Sequence, residues 1–130
     1  MSRKGLKHLP GYRKALELQM MSRAIALCLN SRVEAGSLYH SNSLRDQIAG
    51  SLLMDTALIR KQIALAAGTP SFDARQKSLQ FINVMSRNLH SYCRGLEMDG
   101  MREREYLELL RSELQGFRKS FKNWRRSLME

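Results

Sequence analysis

The stretch YLELLRSELQGFRKSFKNWRRSL, residues 106–128, sets the reading of the whole chain. Tyr106, Leu110, Leu114, Phe117, Phe121, Trp124 and Leu128 recur at steps of three and four, mostly the period of a helix that buries one face. Beside that face stand Arg104, Arg111, Arg118 and Arg125, seven residues apart, with Lys122 on the same flank. A seven-residue repeat drifts only about 20° per heptad around a straight helix, so these cations form a ladder. The other flank is small, reading Gly116, Ser120 and Ser127. Small residues let a second helix approach closely, whether it comes from the same chain or from another subunit.

Upstream, Asp99-Gly100 separates this helix, about 101–128, from a third one at about 71–95. The third carries Phe72, Leu79, Ile82, Ser86, Leu89, Cys93 and Leu96 in a heptad-like seam. Ser71 is placed to cap it, with Asp73 near the positive end of its dipole. Gly68-Thr69-Pro70 ends a second helix, about 43–67, whose face is Leu44, Ile48, Leu52, Ile59, Ile63 and Ala66. Pro10 suits the first position of helix one, about 10–32, where Leu16, Met20, Ala24 and Leu27 recur at helical spacing and Leu18, Met21, Ile25 and Cys28 widen the stripe. Four helices of similar length with mostly short connections predict an all-α, up-down-up-down antiparallel four-helix bundle. One domain, residues 1–130, accounts for the chain, with residues 1–9 as a basic lead.

Charge narrows the class of partner. Lys and Arg number 22 against 12 Asp and Glu, a formal net charge of +10 that points to a polyanion. It is concentrated in three segments. Residues 1–14 contain Arg3, Lys4, Lys7, Arg13 and Lys14 and no acid; residues 58–80 contain Arg60, Lys61, Arg75 and Lys77 against Asp73; residues 116–130 contain Arg118, Lys119, Lys122, Arg125 and Arg126 against Glu130. An antiparallel bundle brings all three segments to one end. Acids are interleaved with Arg104 and Arg111, namely Glu103, Glu105, Glu108 and Glu113, whereas none lies within a turn of Arg118 to Arg126. The second group is therefore the stronger candidate for phosphate contact.

Catalytic and metal chemistry find no foothold in the motifs. His8, His40 and His90 lie far from one another and from carboxylates at ligand spacing, and no phosphate loop, nucleophile elbow or deaminase signature occurs. The reading is a non-enzyme without metal or cofactor. Asp46 and Asp55 are nine residues apart, on opposite sides of one helix; Asp55 falls in the Leu52/Ile59 seam, where an arginine or a hydroxyl is its expected partner. Cys28 and Cys93 read as buried free thiols of a reducing compartment. No window reaches the roughly 18 uncharged apolar residues of a membrane span, so the expectation is a cytoplasmic protein.

Leu9-Pro10 with Tyr12 and Lys14, the run Ser43-Leu44-Arg45-Asp46-Gln47-Ile48, Ala57-Leu58-Ile59 leading to Ala64-Leu65-Ala66, the long third helix and the ending Trp124-Arg125-Arg126-Ser127 carry a resemblance. Over roughly residues 9–127 the chain resembles the small four-helix-bundle family that contains the accessory variability determinants of diversity-generating retroelements and the proteins encoded in ribosomal RNA intervening sequences. The intervening-sequence branch has a Ser-Ile-Pro-x-Asn-Ile-Ala-Glu-Gly-like run where this chain reads Ala49-Gly50-Ser51-Leu52-Leu53-Met54-Asp55-Thr56, which favours the accessory branch. Lys122-Asn123 stands where that branch often has a glycine pair. The resemblance implies a homo-oligomer, pentameric in the accessory branch, that associates with a reverse transcriptase and with RNA or DNA and supports RNA-templated, mutagenic cDNA synthesis.

The residues themselves propose Arg3, Lys4, Lys7, Arg13, Lys14, Arg104, Arg111, Arg118, Lys119, Lys122, Arg125 and Arg126 as backbone-binding positions. Two other readings stand beside this one. The basic end can dock on an acidic protein surface in an assembly, or helix four can lie on a membrane with Phe117, Phe121 and Trp124 inserted. The membrane reading competes with the bundle for those same three rings.

Overall fold

The computed structural model describes residues 5–6, 8–29, 44–99 and 104–129. Four helices occupy almost all of them: α1 (Pro10–Leu29), α2 (Leu44–Gly68), α3 (Phe72–Met98) and α4 (Arg104–Met129). The expected termini at 30–32, 43 and 101–103 lie outside the described residues. Helix α1 starts as its proline suggests, with the Arg13 amide donating to the Leu9 carbonyl at 3.1 Å. Ser71 caps α3, its hydroxyl accepting from the Ala74 amide at 3.2 Å. Two ends differ from expectation. Gly68 is the last residue of α2 rather than the residue after it, and α3 runs to Met98 before Asp99 closes it.

Each helix packs on its chain neighbours, and α4 returns to α1, so the four form a closed ring around one core. Cross-helix bonds fix the directions. Arg60 near the end of α2 reaches Tyr12 and Gln19 near the start of α1; Arg45 at the start of α2 pairs with Asp99 at the end of α3; Arg111 in early α4 pairs with Glu97 in late α3. Gly11 and Trp124 face each other between the start of α1 and the end of α4, 3.9 Å from the indole to where a β-carbon would stand. This is the all-α, antiparallel four-helix bundle that the periodicity predicts.

The core follows the predicted seams in α2, α3 and α4 with small shifts. Ile48, Leu52, Ile59, Ile63 and Ala66, then Leu79, Ile82, Leu89, Cys93 and Leu96, then Leu110, Leu114, Phe117 and Phe121 are buried. Leu107 is buried in the place expected for Tyr106, while Phe72 and Leu44 are exposed. Thr56 occupies a gap in the α2 seam and satisfies its hydroxyl by donating 2.6 Å to the Leu52 carbonyl, one turn back. Phe117 and Phe121 stack with centroids 5.9 Å apart, and Trp124 tilts against Phe121 at 6.4 Å. Both phenyl rings are inside the core, so they cannot also insert into a lipid surface.

Helix α1 corrects the sequence reading most. Its inner face is Gly11, Ala15, Leu18, Ser22, Ile25 and Ala26, whereas Met20 is 72% exposed and Ala24 and Leu27 also face outward. The helix carries two apolar stripes. The inner one contains the small side chains, because close approach by neighbouring helices needs them there; hydrophobicity alone ranks Met and Leu above Gly and Ser and so selects the wrong stripe. Cys28 belongs to the outward side and is exposed, contrary to expectation, while Cys93 is buried as expected.

Candidate nucleic-acid interface

The two flanks of α4 do different jobs. Gly116 belongs to the side that meets α1, with the Lys14 ammonium 3.9 Å from where its β-carbon would be, while Ser127 further along the small flank is exposed. The arginine ladder runs along the seam with α3, the loosest of the four helix contacts. The arginines stand over this looser contact, where a groove opens between α3 and α4.

This seam is a register of heptad against heptad. On α3 Glu97 and His90 face Arg111 and Arg118 of α4, and seven-residue steps extend the two rows to Asn83 and Arg125. Glu97 pairs with Arg111, which also meets Glu108 at 3.4 Å. Arg111 holds the Glu97 carboxyl below the usual range, and Glu97 in turn raises the guanidinium above its own. One rung further, His90 meets Arg118 instead of an acid. Burial first, then Arg118 and Arg111, push the His90 imidazole below its ordinary 6.5. Here the seam opens into a groove of about 360 Å3 lined by His90, Gln115, Arg118, Lys119 and Lys122.

Of the residues singled out by sequence, Arg118, Lys119 and Lys122 come together on this groove, with Arg125 and Arg126 about one turn beyond Lys122 along α4. None of these five makes an ion pair among the described residues. Arg104 is exposed and bears on Glu97, and Arg111 is paired twice, so neither belongs to the open rung. Arg13 is exposed on α1, and Lys14 pairs with Glu17 at 3.1 Å. Arg3, Lys4 and Lys7 lie outside the described residues. His90 and Gln115 were not among the candidates. Their signal was present in the seven-residue steps 83, 90, 97 and 108, 115, 122, but it has meaning only once α3 and α4 are known to be antiparallel neighbours.

The predicted basic end requires one refinement. In the half of the bundle formed by residues 8–19, 57–80 and 117–129, eleven cations stand against Glu17 and Asp73. In the other half, Arg23, Arg45, Arg87, Arg94, Arg104 and Arg111 stand against seven acids. Two cations of the basic half have structural roles. Arg75 donates to the Ala66 and Thr69 carbonyls at 3.2 and 2.9 Å, satisfying the open C-terminus of α2, and Arg60 is bonded to Gln19 at 2.9 Å. The unpaired charge is accordingly concentrated on late α4 rather than spread over the whole end.

Asp55 and Asp46 do not share a site. Asp55 accepts from the Tyr92 hydroxyl at 2.5 Å, the hydroxyl partner expected of a seam carboxylate; burial raises it and Tyr92 opposes the rise. Burial also pushes the Cys93 thiol up to about 11, which makes it inert near neutrality. Among the described residues no group of three or more His, Cys, Asp or Glu side chains is arranged to hold a metal ion, and no helix is long and apolar enough to cross a membrane.

Fold and groove together define a class: a four-helix bundle whose α3/α4 seam carries cations that are ion-paired at Arg111 and, among the described residues, unpaired from Arg118 onward. No family model, no curated protein and no solved structure matches the chain.

Proposed function

We propose that the protein binds the phosphate backbone of nucleic acid through late α4 and the α3/α4 groove, without catalysis of its own. The observation that carries this reading is the run Arg118, Lys119, Lys122, Arg125 and Arg126, which has no ion-pair partner among the described residues and lies in the half of the bundle with eleven cations and two acids. Five cations within two turns repel one another unless a polyanion neutralises them, and a phosphate backbone does so with release of its own counterions. The resemblance of the chain extends the reading to an accessory protein of a reverse transcriptase that supports RNA-templated, mutagenic cDNA synthesis in a diversity-generating retroelement. Contacts of this type position the polymer and do not read bases.

Fluorescence anisotropy with labelled single-stranded RNA and DNA tests it. Affinity should fall steeply between about 50 and 200 mM salt, with little dependence on sequence. Absence of binding at about 50 mM, where electrostatic association is strongest, removes the reading. Co-purification with the polymerase after nuclease treatment distinguishes a nucleic-acid bridge from direct docking on an acidic protein surface.

Self-association is the second part of the proposal. The outward side of α1, where Met20, Ala24 and Leu27 are exposed beside half-buried Leu16, supports it, because apolar surface open to water gains from being covered by another copy. Sedimentation equilibrium checks it: Met20→Lys should shift an oligomer towards monomer, and a wild-type monomer at all concentrations overturns it.

A further inference from the structure

We propose that the groove between α3 and α4 is a discrete site for one phosphate group, and that His90 binds it as imidazolium, so that binding takes up a proton. The inference deepens the backbone-binding reading and rests on it for the source of the phosphate. Four features of the groove support it. Its volume of about 360 Å3 admits a phosphodiester with its flanking sugar, and its lining offers donors of three kinds: a guanidinium from Arg118, ammonium groups from Lys119 and Lys122, and an amide from Gln115. Among the described residues no carboxylate lines it. The one neutral titratable group there, His90, sits opposite Arg118, one heptad from the rung where Glu97 meets Arg111.

The charged groups around His90 decide the direction of the coupling. From α4 these are Arg111, Arg118, Lys119 and Lys122; on its own helix they are Arg87, Arg94 and Glu97. Glu97 is engaged by Arg111. Helix α2, the other neighbour of α3, meets it on the opposite flank, where Asp55 is held by Tyr92. The empty groove thus favours the neutral imidazole, whose ordinary 6.5 is lowered by burial and by the two arginines. A phosphate placed among the same cations reverses the sign of the local field and offers acceptor oxygens to a second ring N–H. By linkage, what raises the imidazole on binding must tighten binding as the pH falls, by at most about tenfold per pH unit for a single proton.

The test follows the His90 ring by nitrogen-15 NMR in the full-length protein, with the resonance assigned by its loss in His90→Gln. Titrations are run without ligand, with inorganic phosphate, and with an oligothymidine of roughly 12 nucleotides. The proposal expects the His90 midpoint to rise in the oligonucleotide complex, and expects the tightening of binding at low pH to be abolished in His90→Gln. If the oligonucleotide binds by anisotropy while the His90 midpoint does not move, the groove assignment is overturned and backbone binding stands. If inorganic phosphate raises the midpoint and the oligonucleotide does not bind, the groove is a phosphate site and the backbone reading fails. If neither ligand moves His90, the site is rejected.

Discussion

Arg111 and Arg118 occupy the same heptad position on the same helix, facing the same neighbour, and differ in what stands across the seam. Arg111 meets Glu97 and Glu108, so its charge is neutralised within the fold. Arg118 meets His90, which is held neutral, and opens onto a groove with two lysines and no acid. An arginine ladder is therefore two objects: a lower half that ties α4 to α3, and an upper half that carries charge available to a partner. Surface cations acquire a binding role by lacking an internal partner, and that lack is a property of the pair of helices.

The largest expected effect breaks this contrast directly. Replacing Arg118, Lys119 and Lys122 together by Gln should lower the slope of log affinity against log salt by about 2 to 3 and weaken binding by at least about tenfold near 0.1 M salt. The control, Arg104→Gln with Arg111→Gln, should leave both nearly unchanged in the same anisotropy assay; equal losses from the two sets would erase the distinction. Next comes Arg75→Gln, which leaves the α2 carbonyls of Ala66 and Thr69 without their guanidinium. A urea titration should show a loss of about 1–2 kcal/mol with nucleic-acid affinity within twofold, marking a basic-half cation whose work is structural.

Two glycines sharpen the contrast between the tight and loose sides of the bundle. A β-carbon at Gly116 would meet only the mobile end of Lys14, at 3.9 Å, so Gly116→Ala should gain up to about 1 kcal/mol from helix propensity. At Gly95 the same atom would stand 2.8 Å from the buried Ile48 side chain, and Gly95→Ala should lose stability despite the same gain in propensity. Thermal melts of the pair should move in opposite directions. The smallest effect is a pH dependence. The folded chain holds His90 below its ordinary 6.5, so its contribution to stability is present above that pH and is lost as the pH falls towards the folded value. Urea titrations of wild type should weaken below pH 6.5, and His90→Gln should flatten that part of the profile.

How much of this is legible in the residues varies along the chain. Helices α3 and α4 have one apolar stripe each, so their period identified the core apart from Phe72, Tyr106 and the neighbours that replaced them. Helix α1 has two, and choosing between them needs the partner: Gly11, Ala15 and Ser22 are on the inside because Trp124 and the neighbouring helices come close there. Cys28 was misread for the same reason. The cations of late α4 were identified from their lack of nearby acids, a local property. Arg75 was counted as free charge because the carbonyls it serves lie on the preceding helix.

By itself, the sequence determined the four helices, their caps at Pro10 and Ser71, and the excess of cations on the segments that an antiparallel bundle brings together, because each of these depends on periodicity, turn chemistry and counting within a few residues. Only the tertiary structure decided which cations are paired, which flank of α4 packs on α1, and that His90 and Gln115 join Arg118 at one groove. Those facts depend on distances between residues far apart in the chain, from 14 positions in the Arg111–Glu97 pair to 113 between Gly11 and Trp124. Coulomb interaction and hydrogen bonding act over those spatial distances, and local sequence spacing does not encode them.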